Sequence, residues 1–225
     1  MLFDLRGRRK HAVQVIYATL ALLLGGGLVF FGIGGEVSGG LLNAFGGGGG
    51  DSSAEDAIQK RIDNAEKRLQ ANPQSAAALK TLVRDYYQLA TAQIPENASA
   101  FPEDAVGDLR RASDYWQRYV KVEQKAPDAS LASLAAQLYG QQALNRPADA
   151  QEAYRIIAER QNDTNSYIQL FYAATVAGDT RTADLAEVKA IDLAPANARK
   201  AVKKQIAELK KQAQEQMAGG AQSGS

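Results

Sequence analysis

Two short amphipathic segments between Tyr167 and Pro195 constrain the fold of this chain more than any other part of its sequence. Apolar and small residues recur at helical spacing on both sides of a break at Gly178 and Asp179. Gly178 can adopt the left-handed conformation that ends a helix, and Asp179 or Thr180 can cap the helix that follows. Because the connection is so short, the two helices must pack in antiparallel orientation. Pro195 ends this hairpin, since proline cannot continue a helix.

Residues that interrupt helices recur at a nearly constant interval along the chain. Pro127, Asn162 and Pro195 lie 35 and 33 residues apart, whereas the step from Pro73 to Pro127 is 54 residues. The apolar offsets of the hairpin also recur in each interval. The sequence therefore predicts three repeated units, with an insertion in the first of them at residues 94–102.

The last of these units resembles a tetratricopeptide repeat. The residues that carry the resemblance are Tyr167, Leu170, Gly178, Ala183, Ala190 and Pro195. The resemblance implies an all-α fold in which antiparallel helix-hairpin repeats stack into a short α-solenoid that binds other proteins. We expect the domain at residues 52–217, with units at about 75–127, 128–162 and 163–195 and a capping helix at about 197–217. Residues 218–225 are expected to be a disordered tail.

A long apolar segment precedes this domain. Residues 12–35 include no charged side chain over 24 positions, and a helix of that length spans a bilayer core of about 30 Å. Four basic residues lie within residues 1–11 and only Glu36 directly follows the segment, so the positive-inside rule places the N-terminus in the cytoplasm. We therefore expect a single N-terminal transmembrane helix and a Gly-rich flexible linker at residues 36–51. The alternative is a cleaved signal peptide.

Composition disfavours several classes of function. The chain has no cysteine and only one histidine, His11, which excludes Ser-His and Cys-His catalysis and makes most transition-metal sites improbable. The formal net charge is +1, which gives nucleic-acid binding little electrostatic support. We expect no small-molecule cofactor. The alanine-rich, cysteine-free sequence suggests a bacterium. With the predicted anchor, this places the helical domain in the bacterial cell envelope, on the outer side of the cytoplasmic membrane.

The first helix of each hairpin lines a concave groove in the proteins that this chain resembles. The residues that would face the groove by register are Lys80, Arg84, Tyr87, Ala132, Ala136, Tyr139, Ile168 and Tyr172. A groove with a basic end and apolar remainder suits a peptide with aromatic or aliphatic anchors. The alternative is that these side chains pack against a neighbouring helix.

The function expected from these features is that of a non-catalytic, membrane-anchored adaptor for a protein or peptide ligand, as a scaffold or chaperone accessory for envelope or secreted proteins. One alternative is a cell-wall glycan hydrolase that uses carboxylates, for which Glu103 and Asp104 are the best pair. Acidic residues at a helix start are more often structural, since they interact favourably with the helix dipole. The other alternative is a self-associating structural protein. The lysine-rich stretch after Asn197 is interpreted as a solvated capping helix rather than as a lipid-binding site.

Overall fold

The computed structural model of this chain describes residues 51–98 and 100–222. The predictions for residues 1–11, for the transmembrane helix at 12–35 and for the linker at 36–50 lie outside the described residues. Within the described ranges, no helix combines the length and the apolar character that crossing a membrane requires.

The described ranges contain eight α-helices and no strand, which confirms the all-α prediction. The helices are α1 (Asp51–Ala71), α2 (Ala76–Ala92), α3 (Val106–Val122), α4 (Ala129–Leu138), α5 (Pro147–Gln161), α6 (Thr164–Val176), α7 (Thr180–Leu193) and α8 (Arg199–Gln222). A single 3₁₀ turn, Glu103–Ala105, leads into α3.

Residues with a left-handed backbone conformation end two of the hairpin helices. Asn162 follows α5 with φ 49°, and Gly178 separates α6 from α7 with φ 77°. Asparagine and glycine tolerate this conformation better than other residues do, so the chain can reverse there without strain. The break predicted at Gly178 is therefore confirmed, and Asn162 has the helix-ending role that a proline plays in the neighbouring units.

Asp179, and not Thr180, caps α7. Its carboxylate accepts hydrogen bonds from the Thr182 amide at 3.0 Å and from the Thr182 hydroxyl at 2.7 Å. The side-chain amide of Gln151 on α5 donates a further bond of 2.7 Å to the same carboxylate. The bonds from Thr182, followed by that from Gln151, lower the pKa of Asp179 from 3.8 to about 2.

This depressed pKa predicts a defined response to acid. The carboxylate form of Asp179 stabilises the fold at pH values above the unfolded pKa, and this contribution is lost as the pH falls from about 4 to about 2. The difference in unfolding free energy between the parent chain and Asp179→Asn should therefore shrink over that interval. Urea titrations at a series of pH values measure it. A difference that stays constant down to pH 2 would contradict the prediction.

The helices pack as successive hairpins. The three pairs α2/α3, α4/α5 and α6/α7 each join helices that are adjacent in sequence, while α1 packs against α2 and α8 packs against α6 and α7. This arrangement confirms the predicted helix-hairpin packing with a leading and a trailing helix. The predicted insertion at residues 94–102 forms the connection between α2 and the 3₁₀ turn.

The first helices of two successive hairpins, α2 and α4, run in the same direction. Lys80 near the start of α2 contacts Asp128 at the start of α4. About two turns later, the Tyr87 hydroxyl donates to Gln137 near the end of α4. Paired contacts in this order require parallel alignment. The order is that of stacked hairpins, in which equivalent helices lie side by side.

Two buried clusters form the core. The first is built from α1 to α5, and the second from the end of α5 together with α6, α7 and α8. The partly buried Tyr154 on α5 packs against both. Fully buried alanines such as Ala135, Ala174 and Ala190 let helix backbones approach closely. Each buried leucine or isoleucine contributes about 1.5–3 kcal/mol through the area it removes from water.

Two boundaries differ from the predictions. Asp51, assigned to the linker, is the first residue of α1. The helix α8 continues into the predicted tail as far as Gln222. Gly219 and Gly220 lower helix stability by roughly 0.5–1 kcal/mol each, which is too little to end the helix there.

Candidate binding surface

An open cleft of about 680 Å³ lies where the first turns of α2 and α4 meet the end of α5. We name it the α2–α4 cleft. Its lining residues are Ala76, Ala77, Lys80, Tyr119, Glu123, Ala126, Pro127, Asp128, Ala129, Ser130, Arg160 and Gln161.

Side-chain caps place two helix starts at the rim of this cleft. Ser75 accepts a hydrogen bond from the Ala78 amide at 3.4 Å and so caps α2. Asp128 caps α4 by accepting from the amides of Ser130 and Leu131 at 2.9 and 3.2 Å. These caps satisfy amides that have no partner within the helix. The alanines that follow each cap keep the wall low, so the cleft is shallow and wide.

Asp128 also connects α4 to α2 and α3. Its carboxylate oxygen Oδ2 lies 2.5 Å from Lys80 Nζ on α2, and its backbone amide donates to the Tyr119 hydroxyl on α3 at 3.0 Å. Burial alone would raise the pKa of Asp128, but the hydrogen bonds from Lys80 and from the amides of Leu131 and Ser130 lower it below its usual value. The Lys80 charge is therefore neutralised within the cleft wall.

Arg160 is the cation of the cleft that is open to a partner. It is exposed at the end of α5 and forms no ion pair with any residue in the described ranges. A second cavity of about 330 Å³ adjoins it, bordered by α3 and α5, and shares Pro127 and Arg160 with the cleft. Arg160 therefore borders both cavities.

Four of the eight residues expected to face a groove are instead part of the core. Ala132 is 0% exposed, Ala136 4%, Tyr139 1% and Ile168 5%. Their burial corrects the prediction for these four side chains, because a side chain inside the core cannot contact a peptide. It agrees with the alternative that they pack against neighbouring helices. The reason is that neighbouring helices cover a wider arc of α4, and of α6 at Ile168, than register alone predicts.

The other four residues are accessible to different extents. Lys80 and Tyr87 are partly exposed and bridge α2 to α4, and the Tyr87 ring also meets Phe101 edge to face at 5.9 Å. Arg84 is exposed on α2, and Tyr172 on α6 is partly exposed. Only Lys80 among the predicted residues lines the α2–α4 cleft.

Sequence reasoning missed the residues that form the other walls of the cleft. Asp128 follows Pro127 directly before an apolar run, which is a helix-start signal that could have identified it. No local signal pointed to Arg160. It reaches the cleft only because the hairpin α4/α5 brings the end of α5 back beside the start of α4.

A polar cluster on the other side of α2 has a structural role. Glu66 on α1 accepts hydrogen bonds from Tyr86 at 2.9 Å and from Tyr115 at 3.2 Å, and the two rings stack with centroids 5.7 Å apart. Burial, followed by the bond to Glu66, raises the pKa of Tyr86 to about 12. Tyr86 therefore stays protonated as a donor and connects α1 to the first hairpin.

A second polar contact joins the same helices. Arg61 on α1 forms an ion pair with the buried carboxylate of Asp85 on α2 at 2.9 Å. A buried carboxylate needs such a partner, since burying an unpaired charge is costly.

The candidate carboxylates Glu103 and Asp104 are exposed in the 3₁₀ turn. Across the described residues, no group of three or more histidine, cysteine, aspartate or glutamate side chains is arranged to hold a metal ion. Comparisons of the chain with protein-family models, with curated proteins and with solved structures found no match.

Proposed function

We propose that this chain is a membrane-tethered, tetratricopeptide-like adaptor that holds a segment of another protein in the α2–α4 cleft. The observation that carries the proposal is the cleft itself, which is lined by the starts of two parallel helices and by Arg160. The predicted transmembrane helix at residues 12–35 and the Gly-rich linker would keep the helical domain near the membrane, on its outer side.

The chemistry of the cleft favours a peptide over a small molecule. Its walls contain small apolar side chains such as Ala77 and Ala129 together with the exposed cation Arg160. A shallow, wide surface of this kind leaves a small ligand exposed to water, whereas an extended peptide covers it along its length. An acidic side chain of the bound segment would pair with Arg160, because Lys80 is already neutralised by Asp128.

Photo-crosslinking in membranes tests this function. A photoreactive amino acid at Ala77 or Ser130, both exposed and both in the cleft wall, should crosslink a discrete protein in membranes from cells that contain the full chain. The same amino acid at Lys189, exposed on α7, is the positional control. The chain itself should sediment with the membranes.

A charge reversal provides the matched comparison. We expect Arg160→Glu to lower the crosslinking yield about tenfold or more, since a charge-assisted contact contributes about 1.5–3 kcal/mol. Arg110→Glu reverses an arginine on α3 that is equally exposed and equally without an ion pair among the described residues, so it should leave the yield unchanged. Equal yields from Ala77 and Lys189, or equal loss in the two charge-reversal variants, would remove the cleft from the mechanism.

A further inference from the structure

Charge is divided unevenly between α8 and the rest of the helical domain. Residues 199–222 contain six basic and two acidic residues, a balance of +4, whereas residues 51–198 contain 16 basic and 21 acidic residues, a balance of −5. Within the helical domain, positive charge is therefore concentrated in α8 and the remainder is acidic. Such a molecule orients in the field of a charged surface.

The basic residues of α8 share one face. At about 100° per residue, Arg199, Lys200, Lys203, Lys204, Lys210 and Lys211 fall within an arc of about 140°. We name this arc the basic face. The two glutamates of α8 lie just outside it, and all six basic side chains are exposed.

Packing holds the basic face away from the core. Val202 and Ile206 are buried in the cluster formed with α6 and α7, Ala213 on the same side of the helix is also buried, and this fixes the rotation of α8. Lys204 lies 3.8 Å from Glu208 at the edge of the arc. Within the described residues no carboxylate pairs with the other five basic side chains. Arg199 Nε donates a hydrogen bond to the Ala194 carbonyl at 3.3 Å, and the four remaining lysines are exposed to solvent.

The sequence alone favoured a solvated capping helix, but the exposed and largely unpaired cations of this face support a different role. We infer that the basic face of α8 binds an anionic lipid surface. The membrane that supplies this surface is that of the proposed tether, so the inference rests on the proposed function in that respect. A membrane with acidic lipids attracts clustered lysines, while it repels the acidic remainder of the domain. Both forces turn α8 towards the lipid headgroups, which places the domain along the membrane surface.

The composition of the face favours lipid over other anionic partners. Five of its six cations are lysines, which act as point charges, whereas the specific recognition of phosphates uses the planar fork of arginine. No aromatic side chain lies among them, and stacking on aromatic rings is the usual support for binding single-stranded nucleic acid. The apolar stripe of α8 is already buried, so the attraction is electrostatic and the helix rests on the headgroups without insertion.

The absence of native cysteine makes the test direct. The full chain with Ala207→Cys, which places a fluorophore in the middle of the basic face, is reconstituted into phosphatidylcholine vesicles with or without phosphatidylglycerol. A contact quencher is attached to the lipid headgroups. Quenching should increase with phosphatidylglycerol and should return to the neutral-lipid value at high salt, because salt screens exposed charges.

Two matched variants determine whether the face itself makes the contact. Ala201→Cys labels an exposed alanine of the same helix, about 120° away and outside the basic face, and its quenching should change little. Substitution of Lys200, Lys203, Lys210 and Lys211 by glutamine should abolish the gain at Ala207→Cys, since each lysine removed lowers surface partitioning about fivefold.

The outcomes separate this inference from the tether. Equal quenching at Ala207→Cys in both vesicles, a gain that survives the glutamine substitutions, or an equal gain at Ala201→Cys would overturn it. A chain that leaves neutral vesicles during an alkaline wash would show that the tether fails. In that case the labelled chain is added from solution to vesicles with and without phosphatidylglycerol. The difference in quenching of the fluorophore at Ala207→Cys then still decides whether α8 binds anionic lipid.

Discussion

Replacing Tyr139 with alanine is expected to destabilise the helical domain by about 3–5 kcal/mol, the cost typical of removing a buried aromatic side chain. Tyr139 is 1% exposed at the end of α4. Its hydroxyl lies 2.9 Å from Ser113 Oγ on α3, and the Arg146 guanidinium stacks over its ring at 5.3 Å. The substitution would open a cavity where α3, α4 and the start of α5 meet. Urea titration of the purified chain, followed by far-UV circular dichroism, measures the loss.

Tyr139→Phe is the control for this prediction. It keeps the ring and removes only the hydroxyl, so the expected loss is about 1 kcal/mol. Tyr139→Ala with the stability of the parent chain would mean that the ring is not buried as described. The result also affects experiments on binding, because a loss of partner in Tyr139→Ala would report unfolding and not the loss of a contact. For that reason the exposed Arg160 is the better test of the cleft.

Phe171→Ala is expected to cost a similar amount, about 3–5 kcal/mol, in the other half of the core. Phe171 is 1% exposed on α6 and belongs to the cluster formed by the end of α5 and by α6, α7 and α8. In a stack of hairpins each unit contacts only its neighbours, so the damage should stay local. Hydrogen exchange should accelerate in α6, α7 and α8 while α1, α2 and α3 keep their protection.

The matched experiment damages the first cluster in the same way. Leu109→Ala on α3 removes a side chain that is 0% exposed, and it should accelerate exchange in α1, α2 and α3 first. If either substitution raised exchange equally in all eight described helices, the two clusters would unfold as one cooperative unit. Tyr154 on α5, which packs against both, would then be the connection between them.

Local signals in the sequence predicted most of the helices and several of their ends. Glycine at position 178 and asparagine at 162 adopt left-handed conformations that stop helices, and Asp179 and Ser75 cap the helices that follow. These effects act within one turn of the chain, so a pattern of neighbouring residues reports them directly. The hairpin order followed from them, because short connections leave only antiparallel packing.

The candidate site was less accessible to the same reasoning. Register placed Ala132, Ala136 and Tyr139 on an open face, and the structure buries all three. Register describes which residues share a side of one helix, but not how wide an arc the neighbouring helices cover. The packing of neighbouring helices on α4 determined that arc, and no single helix encodes it.

What the sequence determined by itself was the set of helices, their caps and the division of charge that leaves α8 basic. Only the tertiary structure decided which of those residues meet. Ala77, Ser130 and Arg160 line one cleft although they come from three helices. Glu66 on α1 likewise joins tyrosines from α2 and α3. Helix formation depends on contacts within a few residues, whereas a binding surface depends on the packing of segments that are far apart in the chain.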